Sequence, residues 1–232
     1  MSDMEKIIAN WLLVIKGDVE GHEFHGNQWT TVGNINHDVA TFLATNADKF
    51  YKAGGMTKTY EADLSGTHPD TAIPQEAQER LRSEDEAIYR QLMLAAPEDK
   101  DQFRRLAMGY ERMNSALKDI AKGQPGIIAY DKDGHIASVI TLGIGKGLSS
   151  GKKFVRVLEL GSTNKVPGSA TALEIEAARY AASKGMALKG DYTGNSKGFH
   201  QLIGRTLDEL HQGSSEWTAK ECQAIATLSR HS

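Results

Sequence analysis

Apolar side chains recur at Phe103, Leu106, Ala107, Tyr110, Met113, Leu117 and Ile120. Steps of three and four put them on one face of a helix, which the spacing predicts over 98–122. A sparser stripe at Ala77, Leu81, Ile88, Met93 and Leu94 predicts a partner helix over 75–96, and Pro97 separates the two. From Gly126 the texture changes. The run GIIAYDKDGHIASVITLGI predicts two strands around Asp131-Lys132-Asp133-Gly134, a hairpin whose turn ends on glycine. The run FVRVLEL at 154–160 predicts a third strand, and 57–64 and 186–193 predict two more. Helices are predicted over 169–184, closed by Gly185, and over 199–210, with Gly204 inside. Residues 143–153 read as a glycine-rich basic loop and 213–215 as a turn. A last helix is predicted to about residue 228, with Trp217 anchoring its start.

Ahead of this lies a different texture. A helix is predicted over 3–16, stopped by Gly17, and another over 36–52, ended by Gly54-Gly55. The pattern divides the chain into a helical N-terminal adaptor, 1–55, and a main domain, 56–232. The main domain reads strand, helix, helix, three strands, helix, strand, helix, which is a mixed α/β order.

Charge and composition narrow the function classes. The net charge of −3 gives no reason to expect nucleic acid or an anionic membrane as partner. The most apolar run, IIANWLLVI at 7–15, is far shorter than the roughly 20 residues of a membrane span. Acidic Asp3 and Glu5 precede it, where a secretion signal would be basic. These features set a cytoplasmic location as the expectation. Cys222 is the only cysteine, which excludes an internal disulfide and reads as a packed side chain. Asp131 and Asp133 lack the rest of a calcium loop and read as a turn. No metal is expected.

The joint Thr163-Asn164-Lys165-Val166-Pro167-Gly168-Ser169-Ala170-Thr171 lies between a strand and an alanine-rich helix. The first N–H groups of a helix lack partners, and the helix dipole adds positive potential there. Lys165, Gly168 and Ala170 form the spacing basic-x-x-Gly-x-small, and Ser169 and Thr171 add hydroxyls. Pro167 contributes no N–H. On spacing alone a helix cap and a phosphate cradle fit equally. The joint has neither the Walker pattern nor the three-glycine dinucleotide pattern.

From Leu158 to Arg205 the chain resembles the GNAT acetyltransferase superfamily. Leu158 and Leu160 take the strand's apolar positions, and residues 165–170 match the loop, with lysine for the usual arginine or glutamine. Leu173 takes the first large apolar helix position. Asn195 resembles the asparagine common before the last helix. Phe199-His200-Gln201-Leu202-Ile203-Gly204-Arg205 lines up with the terminal motif. The specific part covers about a fifth of the chain.

The resemblance implies a GNAT-like splayed mixed sheet flanked by helices, with acetyl-CoA as co-substrate wedged in the splay. Lys165, Val166, Gly168, Ser169, Ala170 and Thr171 would hold its pyrophosphate. The backbone at Leu160 would pair with the pantetheine arm, and Asn195 and Phe199 would complete the cofactor site. The reaction would be direct acetyl transfer to an amine on a small molecule or protein. The family's thiolate-protonating tyrosine aligns with His200, so His200 is the candidate acid, with Tyr192 as substitute. Glu159 is the candidate base, and a solvent-facing strand glutamate is its plain alternative. Arg205 replaces the motif's final aromatic. A fold kept without catalysis, as a structural or interaction protein, is the competing expectation.

The segment Gly21-His22-Glu23-Phe24-His25-Gly26-Asn27-Gln28-Trp29-Thr30 is not a His-Glu-x-x-His metal motif. It resembles a short segment recurring in bacteriophage-encoded proteins, often linked to the head or virion. That resemblance implies a phage protein, with residues 1–55 as an attachment module to virion proteins.

Overall fold

The computed structural model describes residues 37–61, 73–147, 150–192, 196–208 and 213–228. The predicted helix 3–16, the segment 21–30 and Asn195 lie outside the described residues. The elements run α1 (His37–Lys52), β1 (Met56–Tyr60), α2 (Gln75–Leu94), α3 (Lys100–Ala121), β2 (Gly126–Tyr130), β3 (Ile136–Lys146) and β4 (Lys153–Ser162). They continue with α4 (Ser169–Ser183), β5 (Ala187–Asp191), α5 (Lys197–Leu202), β6 (Thr206–Asp208), β7 (Ser214–Trp217) and α6 (Ala219–Leu228). The strands form one seven-stranded sheet in the order β1-β2-β3-β4-β5-β7-β6. It is mixed, because β4 and β5 pair parallel while β1–β2, β2–β3, β5–β7 and β6–β7 pair antiparallel. The protein is therefore a mixed α/β fold with helices flanking a mixed sheet.

The described residues fall into two compact units. One comprises 49–143 and 158–173. Its core joins the inner faces of α2 and α3 to β2 and β3, through Leu81, Tyr110, Met113, Leu117, Ile120, Ile128 and Val139. The α3 stripe read from sequence is this buried face. The α2 stripe is shorter than expected, since Met93 and Leu94 are 81% and 87% exposed at the helix end. Within the hairpin turn, Asp131 Oδ1 accepts the amides of Asp133 and His135, so this carboxylate serves the turn.

The end of β4 lies directly on α3. A Cβ placed on Gly161 would sit 2.5 Å from Met113 N and 2.6 Å from Gly109 O, and one on Gly109 would sit 2.4 Å from Ser162 O. Only glycine at both positions permits backbone-to-backbone packing this close. Gly161→Ala is expected to destabilise the protein by about 1–3 kcal/mol, the usual cost of overpacking. The check is a lower urea midpoint at unchanged slope.

The other unit comprises 37–48, 144–157 and 174–228. In α1, Ala40, Leu43 and Ala47 are buried at helical spacing. Three sequence expectations are corrected in the chain from Gly143 onward. First, the predicted loop at 143–153 is shorter than expected, because β3 runs to Lys146 and β4 starts at Lys153. Gly143 and Gly145 leave room for the β4 side chains of Leu158 and Phe154 respectively, which a Cβ would crowd at 3.3 and 2.5 Å. Second, the predicted helix 199–210 is the six-residue α5, followed by strand β6. Gly204, at φ 74°, reverses the chain, and the Arg205 amide closes back on His200 O at 3.0 Å. Third, the turn at 213–215 leads straight into strand β7, whose Ser215 and Trp217 are buried. Four residues are too few to show strand alternation.

Candidate functional site

The parallel ladder between β4 and β5 covers only Phe154–Val157 against Ala187–Gly190. Beyond Val157, no strand among the described residues pairs with the β5 side of β4 at Leu158, Glu159 or Leu160. Open strand-edge groups of this kind pair with water or with an added strand. The chain then enters the joint. Thr163 N–H bonds Ala137 O at 2.9 Å, and Asn164 sits at φ 58°, where an asparagine is tolerated. Thr163 Oγ1 accepts the Lys165 amide at 3.2 Å. Gly168 follows at φ 86°.

Helix α4 starts from this bend. The Ser169 amide reaches Val166 O at 3.3 Å and the Ala172 amide reaches Gly168 O at 2.9 Å. Among the described residues, the amides of Gly168, Ala170 and Thr171 have no acceptor. The Ser169 hydroxyl does not cap them. It is buried and paired with Ser138 Oγ at 2.6 Å, and Ser138 Oγ also donates to Ser162 Oγ at 3.0 Å. This serine chain ties the helix start to β3 and β4. It leaves three amides with the character of an anion-binding helix terminus.

Lys165 is engaged elsewhere. Its Nζ bonds Glu84 Oε2 at 2.8 Å and lies 5.9 Å from the centre of the Tyr110 ring. Tyr110 Oη donates to the same Glu84 oxygen at 2.7 Å. Burial alone would raise the Glu84 carboxyl, but hydrogen bonds from Lys165 and Tyr110 leave it below its ordinary value. Burial, followed by the hydrogen bond to Glu84, pushes the Tyr110 hydroxyl up to about 12. Lys165 thus anchors the joint to α2 and α3.

Glu159 is half-buried on β4. Burial raises its carboxyl above the ordinary value, against the pull of Arg112, and Asp119 and Glu111 add to the rise. A raised carboxyl is a better proton acceptor near neutrality.

His200 and Tyr192 belong to the other unit. The His200 side chain belongs to a residue only 6% exposed, with Nδ1 3.2 Å from Ser215 Oγ. Burial, and then the Arg205 guanidinium, depresses the ring to about 4. At pH 7 the imidazolium is therefore a minor species, roughly one part in a thousand. Tyr192 is half-buried just after β5, with its ring centre 6.0 Å from that of His200. Phe199 flanks His200 edge-on at 5.8 Å.

Under these rings lies a buried network that sequence reasoning did not foresee. Arg205 Nη2 donates to Glu174 Oε2, and both side chains are 0% exposed. Arg205 also stacks 5.0 Å from the Trp217 ring, and Trp217 Nε1 donates to Ile203 O at 3.1 Å. Glu174 sits in the alanine-rich stretch of α4, where only an odd charge on an apolar helix face signalled it. Cys222 is fully buried, its thiol pushed up to about 12 mainly by that burial.

The depressed His200 has a stability consequence. Between about pH 4 and 6.5 the unfolded chain binds a proton that the folded ring refuses, so stability falls as pH drops through that window. The full loss is about 3 kcal/mol at 1.36 kcal/mol per pKa unit. Urea midpoints at pH 7 and pH 4 should fall less in His200→Gln than in the natural protein. Equal falls would show that the ring titrates normally.

No protein-family model matches the chain, and no curated protein matches it. Among solved structures it is similar to a single-residue mutant of the toxin AtaT bound to the C-terminus of the antitoxin AtaR and acetyl-CoA. That match has 15% identity and a TM-score of 0.43, over 50% of this chain and 85% of that one. The same mutant bound to the antitoxin C-terminus gives 14% and 0.39, over 47% and 74%. The GCN5-related glucosamine N-acetyltransferase region of a fungal multi-domain β-N-acetylglucosaminidase gives 16% and 0.40, over 68% of this chain and 17% of that one. At these scores the likeness is one of partial chain path. Among the described residues no helix is long and apolar enough to cross a membrane, and no cluster of metal-ligating side chains occurs.

Proposed function

We propose that this protein is an acetyl-CoA-dependent N-acetyltransferase of the GNAT type. One observation carries the reading. The β4–β5 ladder stops at Val157, and the open edge of β4 runs straight into a helix start with free amides at Gly168, Ala170 and Thr171. An extended amide-bearing arm pairs with an open strand edge as an added strand would. A diphosphate suits amides at a helix N-terminus. Pantetheine and pyrophosphate are joined in that order in coenzyme A. Lys165 supports the loop from behind through Glu84 rather than acting as a phosphate clamp.

In the proposed reaction the acceptor nitrogen attacks the thioester carbonyl. The N–C bond forms, the C–S bond breaks, and the thiolate takes a proton while the amine gives one up. Glu159 collects the amine's proton, helped by its raised carboxyl. Tyr192 supplies the thiolate's proton in preference to His200, because the His200 imidazolium is scarce at neutral pH. Calorimetry with acetyl-CoA tests the binding step. A rise in melting temperature with ligand is the expected companion, and no heat at high micromolar acetyl-CoA overturns the reading. In an acetylation screen on amines and host lysate, Tyr192→Phe should lose about 10²–10⁴-fold in rate, the usual worth of a positioned acid. Affinity for acetyl-CoA should stay unchanged.

A second reading is favoured by the neutral, enclosed His200. There the fold binds acetyl-CoA, or nothing, and serves as an interaction module. On that reading residues 1–55 attach the chain to phage virion proteins, an idea supported by the segment 21–30 alone. Acetyl-CoA binding without thiol release from any amine or protein would favour it.

A further inference from the structure

Ser215 Oγ sits among three polar partners, and one hydroxyl proton has to serve them. Gly190 O lies at 3.1 Å and accepts only. Arg205 Nη1 lies at 3.4 Å and donates only. His200 Nδ1 lies at 3.2 Å and does either. The carbonyl takes the hydroxyl proton, since it has none to offer. The oxygen's lone pairs then face Arg205 and His200, so Nδ1 is the atom that carries hydrogen. In a neutral imidazole the other nitrogen, Nε2, is then a bare lone pair.

The parts around this serine are held in place. Ser215 is fully buried on β7, between its ladder partners on β5 and β6. Arg205 crosses the Gly190 backbone so closely that a Cβ there would meet Nη1 at 2.5 Å. Glu174 and Trp217 grip the guanidinium from other sides. The two buried polar atoms left without partners in this region, Arg205 Nε and Glu174 Oε1, belong to the same ion pair and are complementary. A small rotation toward a two-bond pairing would satisfy both. The guanidinium beside the ring also repels a second ring proton.

We propose that Glu174, Arg205 and Ser215 are positioning residues that lock His200 as its Nδ1–H tautomer, making Nε2 a hydrogen-bond acceptor and not a proton donor. Its place in catalysis rests on the acetyl-transfer reading, but the tautomer rests on these hydrogen bonds alone. The position that a GNAT resemblance gives to an acid is, in this chain, built to receive a hydrogen.

The test is long-range ¹⁵N–¹H NMR of the full chain at pH 7 without ligand. The protein has eight histidines, and the signals lost in His200→Gln identify the ring. Nitrogen shifts showing Nδ1 protonated and Nε2 bare are expected. Protonated Nε2 with bare Nδ1 overturns the proposal. In Ser215→Ala the Nδ1–H share should fall, with the tautomer ratio moving about tenfold for one lost hydrogen bond. An unmoved ratio shows that the relay does not set the tautomer. Should that variant not fold, the natural protein's spectrum decides between lock and donor by itself. Because no acetyl-CoA is present, failed cofactor binding would defeat the acetyl-transfer reading without touching this result.

Discussion

Arg205→Met is expected to destabilise the protein by about 3–5 kcal/mol, the range for removing one partner of a buried ion pair. Glu174 would be left fully enclosed with no cation. Burial already raises its carboxyl, and the guanidinium works against that rise. The variant's carboxyl, without the guanidinium to lower it, should take up a proton on folding more readily, so the variant should recover stability as pH falls relative to the natural protein. Urea midpoints measured from pH 5 to 8 check both parts. The double variant Glu174→Leu/Arg205→Met should regain most of the loss, because apolar replacement of both partners removes the uncompensated charge. A single variant as stable as the natural protein would mean the pair contributes nothing.

Such a pair was not legible beforehand. Arg205 stood out as a cation where the resembled motif ends in an aromatic. Glu174 is not singled out by the sequence pattern, and its only local mark is a carboxylate among Ala170, Ala172, Leu173 and Ile175. Nothing local relates positions 31 residues apart. The chain reversal at Gly204 and the hidden strand β7 bring Arg205, Ser215 and Trp217 to one place, and neither announces itself in a periodicity.

Ala170→Glu is expected to weaken acetyl-CoA binding at least about a hundredfold. A carboxylate about 4 Å from a phosphate charge costs about 4 kcal/mol at an effective dielectric of 20. The substitution separates binding from folding. An acid in the first turn of a helix normally stabilises it by about 0.3–1 kcal/mol. A melting temperature held or raised, with calorimetric affinity lost, would support the phosphate cradle at 168–171. Affinity retained within threefold would show that the joint only starts a helix. The hydroxyl of Ser169 is the contrasting position, because it is committed to Ser138 and its loss should act on stability first.

The long elements were written in local pattern. The α3 stripe, the hairpin around Gly134 and the strand–joint–helix order all follow from residues within a few positions of each other. Steric and solvation preferences act at that range, so α1, α2, α3, β2 and α4 lie close to their predicted bounds. The joint's spacing was legible too, as a start of helix with small residues and a lysine. What the sequence left even, cap or cradle, depends on which hydrogen bonds the first amides already make. Only the tertiary structure shows those bonds. It sends the Ser169 hydroxyl to Ser138, sends Lys165 to Glu84, and ends the β5 ladder at Val157. The same holds for His200. Its identity is local, but its charge state is set by burial and by a guanidinium from beyond the helix end. A side chain's chemistry depends on what the fold places against it, and sequence spacing does not carry that information.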